Sequence, residues 1–464
     1  MPETTLPLVV GLDGTLVRSD TLVEVWLRVV RRRPWVLLLT PVWLLRGRDH
    51  LQSRLHGQVE LAPEGLPLHE GLVAFLRRQH DEGRTLVLAA EDGDLAGRVS
   101  DHLGLFDRVL VAGSGRARAR ALADEFGPGG FAYGGSGRRD LPALKAAGSA
   151  VLVSTVPGRA PSVAKVEAEF PREGGRLLAV VEAMRTYQWV KNLLIFVPLI
   201  TANGLTRVPS LLLALGTFVA FSCLASGVYI VNDLFDLDAD RRHPRKRRRP
   251  FASGAAPLAW GVVLGPTLMV SGVVGGFLLG FWVGATLIAY ALTTIAYSAF
   301  LKTQPLVDVF TLALLYTLRI VAGGVAVDEA ASIWLLSFSS FFFLSLGFLK
   351  RHVEVSKLSP DDVVHRRGYA TGEERPLLVM GIASSFAASI VLALYVDTSV
   401  AEAIYPRPEA VWGFVPLSLF WQMRMWLAAE RGFVHEDPIT YAARDWVSLR
   451  VVLAGGLCYF AATV

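Results

Sequence analysis

The chain has 464 residues, 52% of them hydrophobic and 19% charged, with a mean hydropathy of +0.43 and a formal net charge of +5. That length accommodates two or more domains, and the hydropathy excludes an ordinary soluble protein of this size. Two cysteines, Cys223 and Cys458, both within apolar runs and without metal spacing, exclude a disulfide framework. A pI near 9.2 would suit nucleic acid, but membrane topology accounts for the positive excess better, so no nucleic-acid partner is expected. The first residues carry no basic stretch followed by an apolar core, so no secretory leader is expected. No internal repeat is evident. Charged residues are frequent up to about Arg185; beyond it long apolar runs alternate with short charged clusters. The reading is a multi-domain chain: an α/β domain over 1–160, a linker over 161–184 and an all-α membrane domain over 185–464.

The first element is the apolar strand "LPLVV", which runs into the tight turn "GLDGT" at 11–15. This resembles the haloacid-dehalogenase-like phosphatases, whose loop reads Asp-x-Asp-Gly-Thr, the first Asp being the nucleophile and the second the acid/base. Here Asp13, Gly14 and Thr15 are present, but Gly11 stands at the nucleophile position. The resemblance extends over about residues 6–155, with the alternating strands and helices of a doubly wound, Rossmann-like sheet. It implies a phosphate-binding Ser or Thr near Ala90, a phosphate-binding Lys where only Arg116, Arg118 and Arg120 occur, and a metal loop in which Gly135 replaces the first Asp while Asp140 remains. A phospho-aspartyl intermediate requires a carboxylate nucleophile, and a Mg²⁺ site of hard oxygen ligands cannot lose two carboxylates. The expectation is a pseudo-phosphatase.

Within this half, "RRRPWVLLLTPVWLLRGR" at 31–48 holds an apolar core, Pro34 to Leu45, too short to span a bilayer and broken by two prolines. It reads equally as a buried cap element or as an interfacial segment with Trp35 and Trp43 at headgroup level.

Spanning runs fall near 190–204, 209–231, 258–280, 282–300, 305–327, 332–349, 376–396, 410–429 and 447–464, about nine helices. Basic residues concentrate at 238–250, 301–305 and 350–375, whereas 201–210, 328–332 and 397–409 carry few. The positive-inside rule therefore puts the N-terminal domain in the cytoplasm and the C-terminus outside, across a bacterial plasma membrane.

The chemistry concentrates in "VYIVNDLFDLDADRRHPRKRRRPFASG" at 228–254, where Asn232, Asp233, Asp236 and Asp240 stand at offsets that align along one helix face. Like charges at a membrane helix end repel, which makes sense if they hold a divalent cation gripping a diphosphate. The segment resembles the first Asp-rich motif of the UbiA-type prenyltransferase superfamily. That resemblance implies an intramembrane Mg²⁺-dependent enzyme of about nine helices with a cytoplasm-facing polar cavity and a polyprenyl substrate. The stretches "RTYQWVKNLLIFVPL", "YSAFLKTQPLVDVF", "LRIVAGGVA" and "FLKRHVEV" are similar to the decaprenyl-phosphate phosphoribosyltransferase branch. Aromatic prenyltransferases carry a second carboxylate cluster after the sixth helix; this chain has Lys350, Arg351 and Glu354 there, and basic groups suit phosphate directly.

The phosphoribosyl reading assigns Asp233, Asp236 and Asp240, with Asn232, to Mg²⁺ on the diphosphate of phosphoribosyl diphosphate. It assigns Lys191, Asn192, Lys302, Arg319, Lys350, Arg351 and Glu354 to donor and lipid acceptor, Asp308 to a ribose hydroxyl and Tyr297 to the acceptor. Lys191 and Lys302 also read as snorkelling cations. Mid-helix Arg319 would cost on the order of 3 kcal/mol unpaired, which favours a polar cavity around it. The run Arg245 to Arg249 reads as a topology element, and His435 and Asp437 as loop-forming. Prenyl transfer from a polyprenyl diphosphate to a small acceptor is the second reading. An inactive scaffold and a working lipid phosphatase are opposed by the intact aspartates and by Gly11 and Gly135 respectively.

Overall fold

The computed structural model describes residues 6–155, 165–171, 174–329, 331–357, 368–370, 372–434 and 437–464. Its contacts divide the chain into two compact units: Met1–Met184 with Tyr229–Gly265, and Arg185–Val228 with Pro266–Val464. His435 and much of the basic loop at 350–375 lie outside the described residues.

The first unit opens with β1 (Leu8–Gly11), followed by α1 (Thr21–Arg32), α2 (Val36–Leu45), α3 (Arg48–Leu55) and α4 (Glu70–Asp81). There follow β2 (Leu86–Ala90), α5 (Gly93–Leu103), β3 (Arg108–Val111), α6 (Arg116–Phe126), β4 (Ala132–Gly135), α7 (Gly137–Ala146), β5 (Ser149–Thr155), β6 (Val166–Pro171) and α8 (Arg176–Ala183). The six strands form one parallel sheet in the order β3-β2-β1-β4-β5-β6. β1, β2 and β4 are buried along their whole length, as continuous apolar runs in a parallel sheet covered on both faces must be. One face packs Leu8, Val10, Leu86 and Leu88 against Leu72, Leu76 and Val99; the other packs Val9, Val87 and Tyr133 against Leu122 and Leu144. This is the doubly wound, Rossmann-like architecture. Its switch point, where ligands of such sheets bind, lies between the carboxyl ends of β1 and β4.

The helical part contains a 3₁₀ segment, Thr186–Phe196, then α9 (Val197–Thr201), α10 (Val208–Phe235), α11 (Leu237–Arg242), α12 (Leu258–Leu279), α13 (Phe281–Ala299), α14 (Val307–Ala326), α15 (Ile333–Val355), α16 (Glu374–Val396), α17 (Ser399–Ile404), α18 (Phe414–Glu430), α19 (Pro438–Ala442) and α20 (Trp446–Thr463). Among the described residues, seven of these are long and apolar enough to cross a membrane: α10, α12 to α16, and α20. Two expected spans differ. The run 190–204 is divided between the 3₁₀ segment and the five-residue α9, because Pro198 cannot donate a backbone hydrogen bond and starts a new helix. The run 410–429 divides into a 3₁₀ turn, Pro408–Gly413, and the 17-residue α18.

In the second unit, α15 packs on α14 and α16, with Val309, Phe343, Leu346, Phe348, Met425 and Trp426 at the core. A Cβ at Gly323 of α14 would lie 1.9 Å from the Ile195 carbonyl oxygen, so only glycine lets the 3₁₀ segment approach α14 this closely.

Candidate active site

The switch point of the parallel sheet is filled by the protein itself. Gly14, at φ +71°, turns the chain sharply after β1, and a Cβ on Gly11 would meet the Tyr133 hydroxyl at 3.1 Å. That hydroxyl donates to Asp140 Oδ1 at 3.0 Å and accepts from Arg118 Nη1 at 3.2 Å. Asp140 Oδ2 accepts from the Ser136 amide at 2.8 Å and from the Thr15 hydroxyl at 3.3 Å. Burial pushes the Asp140 carboxyl up despite the Ser136 amide and the Arg118 guanidinium beside it. At Gly135 a Cβ would stand 2.6 Å from the Tyr133 ring, so a carboxylate at either glycine would collide with the plug. Asp13 remains, half-buried, with Oδ1 accepting from the Thr21 amide at 2.8 Å. Burial foremost, then the negative charge of Asp20, raises its pKa to about 6. The cleft beside it is lined by Asp13, Gln52, His56 and Glu91 and has a volume of about 50 Å³. His56, Asp92 and Asp94 bring ligand atoms within 4.8 Å of one another at its edge, but Asp92 there caps α5.

The first unit also carries the Asp-rich segment. Asn232 and Asp233 lie in the last turn of α10, Asp236 stands between α10 and α11, and Asp240 lies in α11. The amides of Asp236 and Asp240 donate to the carbonyls four residues back, so the turn spacing is nearly helical across the break. Asp233 and Asp240 are buried and converge on one cationic atom: Arg249 Nη1 donates to them at 3.2 and 2.7 Å. Asp236 is half-buried and stands at the break between the two helices. Two carboxylates therefore meet at one atom, Arg249 Nη1. A guanidinium nitrogen between paired carboxylates marks a position where two hard oxygen donors face one cation, which fits a divalent ion of the Mg²⁺ class. Arg249, expected as a topology element, is the partner the sequence did not reveal.

Around this segment the remaining charges bind elsewhere. Asp238 pairs with Arg28 of α1. Arg241 reaches the fully buried Glu24 of α1 at 2.7 and 2.9 Å and donates to the Gly65 carbonyl at 3.1 Å. Burial would raise the Glu24 carboxyl, but the Arg241 guanidinium holds it below its ordinary value.

In the second unit the predicted residues fall into three groups. Lys191, from the 3₁₀ segment, donates to Asp437 at 2.7 Å, and Lys350 Nζ of α15 stands 3.9 Å from the same oxygen. Burial would raise Asp437, but Lys191 and then Lys350 hold its pKa down at about 2. Asp437, expected as loop-forming, is thus the anion that gathers two lysines. Arg319 of α14 is buried and donates to Asn192 Oδ1 at 2.9 Å, to the Tyr290 hydroxyl at 3.2 Å and to the Leu315 carbonyl. It also stacks 5.0 to 5.5 Å from the Tyr290, Phe221 and Tyr316 ring centres, so aromatic faces as well as polar partners surround the guanidinium. Arg351 is fully buried and divides its donors among Asp308, Glu354 and, at 2.7 Å, the Tyr297 hydroxyl. The Tyr369 hydroxyl donates to Asp308 Oδ1 at 2.7 Å. Tyr297, Asp308, Arg351 and Glu354 are therefore one closed knot, whereas the sequence reading had distributed them over ribose, acceptor and phosphate. Lys302 is half-buried in the 3₁₀ turn Leu301–Thr303.

A bundle of helices long and apolar enough to cross a membrane, with buried charge clusters and joined in one chain to a parallel-sheet domain, defines an integral membrane protein. Residues 193–432 match the UbiA prenyltransferase family, and the chain belongs to that family. It is 34% identical over 459 residues to the uncharacterized protein y4nM of Sinorhizobium fredii, covering 96% of this chain and 88% of that one. It is 33% identical over 279 residues to nodulation protein NoeC of Azorhizobium caulinodans, covering 59% and 89%. With the decaprenyl-phosphate phosphoribosyltransferase of Mycobacterium tuberculosis it shares 37% identity over 180 residues, covering 38% of this chain and 60% of that enzyme.

Proposed function

We propose that the chain transfers phosphoribose from phosphoribosyl diphosphate to a polyprenyl phosphate in a Mg²⁺-dependent reaction. The observation that carries this is the convergence of Asp233 and Asp240 on a single cation position at the end of a membrane helix. The choice of donor and acceptor is supported by the 37% identity to an enzyme named for that reaction. In this reading Asp233 and Asp240 hold the ion, Asp236 and Asn232 complete its surroundings, and Arg249 turns to the diphosphate. Bound Mg²⁺ would stabilise the charge on the departing diphosphate. Lys191 and Lys350 exchange the Asp437 carboxylate for phosphate oxygens, and Lys302 serves the same class of group. An oxygen of the polyprenyl phosphate forms a bond to the anomeric carbon as the carbon–oxygen bond to diphosphate breaks, its electron pair leaving with diphosphate. The Arg319–Asn192 and Arg351–Asp308 clusters act by keeping the helices that bear the two lysines in register.

The same reading takes 1–160 as a haloacid-dehalogenase-like pseudo-phosphatase, supported by the Tyr133–Arg118–Asp140 plug, with a linker over 161–184 and the transferase over 185–464. It puts the N-terminal domain in the cytoplasm, the C-terminus outside and about nine crossings in a bacterial inner membrane. Prenyl transfer from a polyprenyl diphosphate to a small acceptor is the second reading; the same carboxylate pair suits it, but the lysine pair on Asp437 favours the first.

The test is incubation of the purified protein and Mg²⁺ with labelled phosphoribosyl diphosphate and polyprenyl phosphate. A labelled lipid lost in Asp233→Ala and Asp240→Ala, by about 10²-fold or more, is expected. Product only from a polyprenyl diphosphate and an aromatic acceptor would overturn the phosphoribosyl assignment.

A further inference from the structure

The segment α2 decides between the two roles its sequence allowed. Its core is not buried: Leu38 is 80% exposed, Leu45 88% and Trp35 58%, and Leu37, Val42 and Leu44 are also exposed. Only Val36 and Thr40 face inward, where the Trp26 indole donates to the Thr40 hydroxyl at 2.8 Å and fixes the helix to α1. An apolar surface of this kind on one helix requires an occupant. Ten residues of helix are too short to cross a bilayer.

Three features of the same unit identify what covers it. Arg31, Arg32 and Arg33 stand exposed before the helix and Arg46 after it, the arrangement that brings cations to headgroup phosphates at both ends of an apolar stretch. Arg31 Nη1 donates at 2.8 Å to the carbonyl of Phe235, the last residue of the membrane-spanning α10. Val36, the start of α2, is five positions after Arg31, at most roughly 18 Å of extended chain at 3.6 Å each, so α2 begins within that reach of the residue that touches the end of α10. Beside this contact an open cleft of about 350 Å³ is walled by Leu27, Leu234, Phe235 and Leu237; Glu24 and Asp238 also line it but are paired with Arg28, which leaves Arg31 and Arg32 as the cations at its edge.

We propose that α2 lies in the bilayer interface, with its leucines among acyl chains and with Arg31 and Arg32 binding the phosphate of an anionic lipid at the cleft. The phosphatase-like domain is thereby a membrane-docked domain, held by lipid as well as by its chain connection. This assignment is independent of which reaction the transferase performs, and its test needs no substrate.

The full-length protein, with Cys223 and Cys458 replaced by Ser, carries a spin label at Leu38→Cys or, as control, at the exposed Asp124→Cys of α6. Each is reconstituted in nanodiscs of phosphatidylcholine with or without phosphatidylglycerol. The expected result is a label at 38 that collides at least twofold more with oxygen than with a water-soluble nickel chelate, and the reverse at 124. Replacing Arg31, Arg32 and Arg33 by Gln is expected to lower the ratio at 38 in the discs with phosphatidylglycerol and to leave it unchanged in phosphatidylcholine alone. Equal nickel access at 38 and 124 would overturn the proposal. So would protection of position 38 from both reagents with label–label broadening, the signature of a second copy on this face. An arginine effect equal in both lipids would overturn the headgroup site.

Discussion

At the residue scale, Tyr133 fills the switch point of the parallel sheet and makes glycine the residue that fits at positions 11 and 135. Its hydroxyl stands where a side chain at position 11 would project, and it satisfies Asp140 and Arg118 without a ligand. Introducing a carboxylate by Gly11→Asp is therefore expected to destabilise the parallel-sheet unit by about 1–3 kcal/mol through overpacking and to yield no phosphate-ester hydrolysis. Thermal unfolding with a phosphatase assay checks both; an active variant as stable as its parent would contradict the plug. Asp13 gives a second test. With a folded pKa of about 6 against an ordinary 3.8, the native state holds a proton that the unfolded chain has released. Stability from this group is full below about pH 4 and falls as pH rises to 6, by on the order of 2 kcal/mol for a half-exposed group. Asp13→Asn is expected to flatten that part of the melting-temperature profile, and an unchanged slope would mean that Asp13 is already ionised. The absence of carboxylates at 11 and 135 was legible in the sequence; the plug was not, since a tyrosine in an apolar strand reads as ordinary core.

At the element scale, the Asp-rich segment is held by α1 of the parallel-sheet unit. Glu24 and Arg241 are 217 residues apart and meet in a buried ion pair. Removing one partner of such a pair costs about 3–5 kcal/mol because the other charge is left buried. Glu24→Ala is thus expected to lower Mg²⁺-dependent lipid product although residue 24 lies outside the membrane bundle, and Arg241→Ala to add little to it. Additive losses in the double variant would show that the two act separately. Gly323→Val tests the second unit: its side chain would collide with the Ile195 carbonyl, push the 3₁₀ segment off α14 and break the Asn192–Arg319 bond. A loss of about 1–3 kcal/mol is expected, read as a fall in the melting temperature of the detergent-solubilised protein. Helix identity in this part was legible from apolar run length; the division of 190–204 into a 3₁₀ segment and α9 was not, because composition alone does not distinguish the two.

At the scale of the whole molecule, orientation rests on the charge of the connections. A tag at the C-terminus is expected to be digested by protease added to spheroplasts, and one at the N-terminus only after lysis; cytoplasmic protection of both would reverse the assignment of the last span. The near-full-length match to the Sinorhizobium fredii protein indicates that the joining of these two parts is not confined to this chain. Local composition and spacing alone determined the α/β half, the membrane half and the aspartate motif, because each is set by neighbours a few residues apart. Tertiary structure alone decided that Asp437 gathers Lys191 from 246 residues away, that Arg249 bridges Asp233 and Asp240, and that α2 shows its leucines to the surroundings. Those depend on which distant surfaces meet, and an apolar run or a lone charge has the same sequence whether it is covered or not.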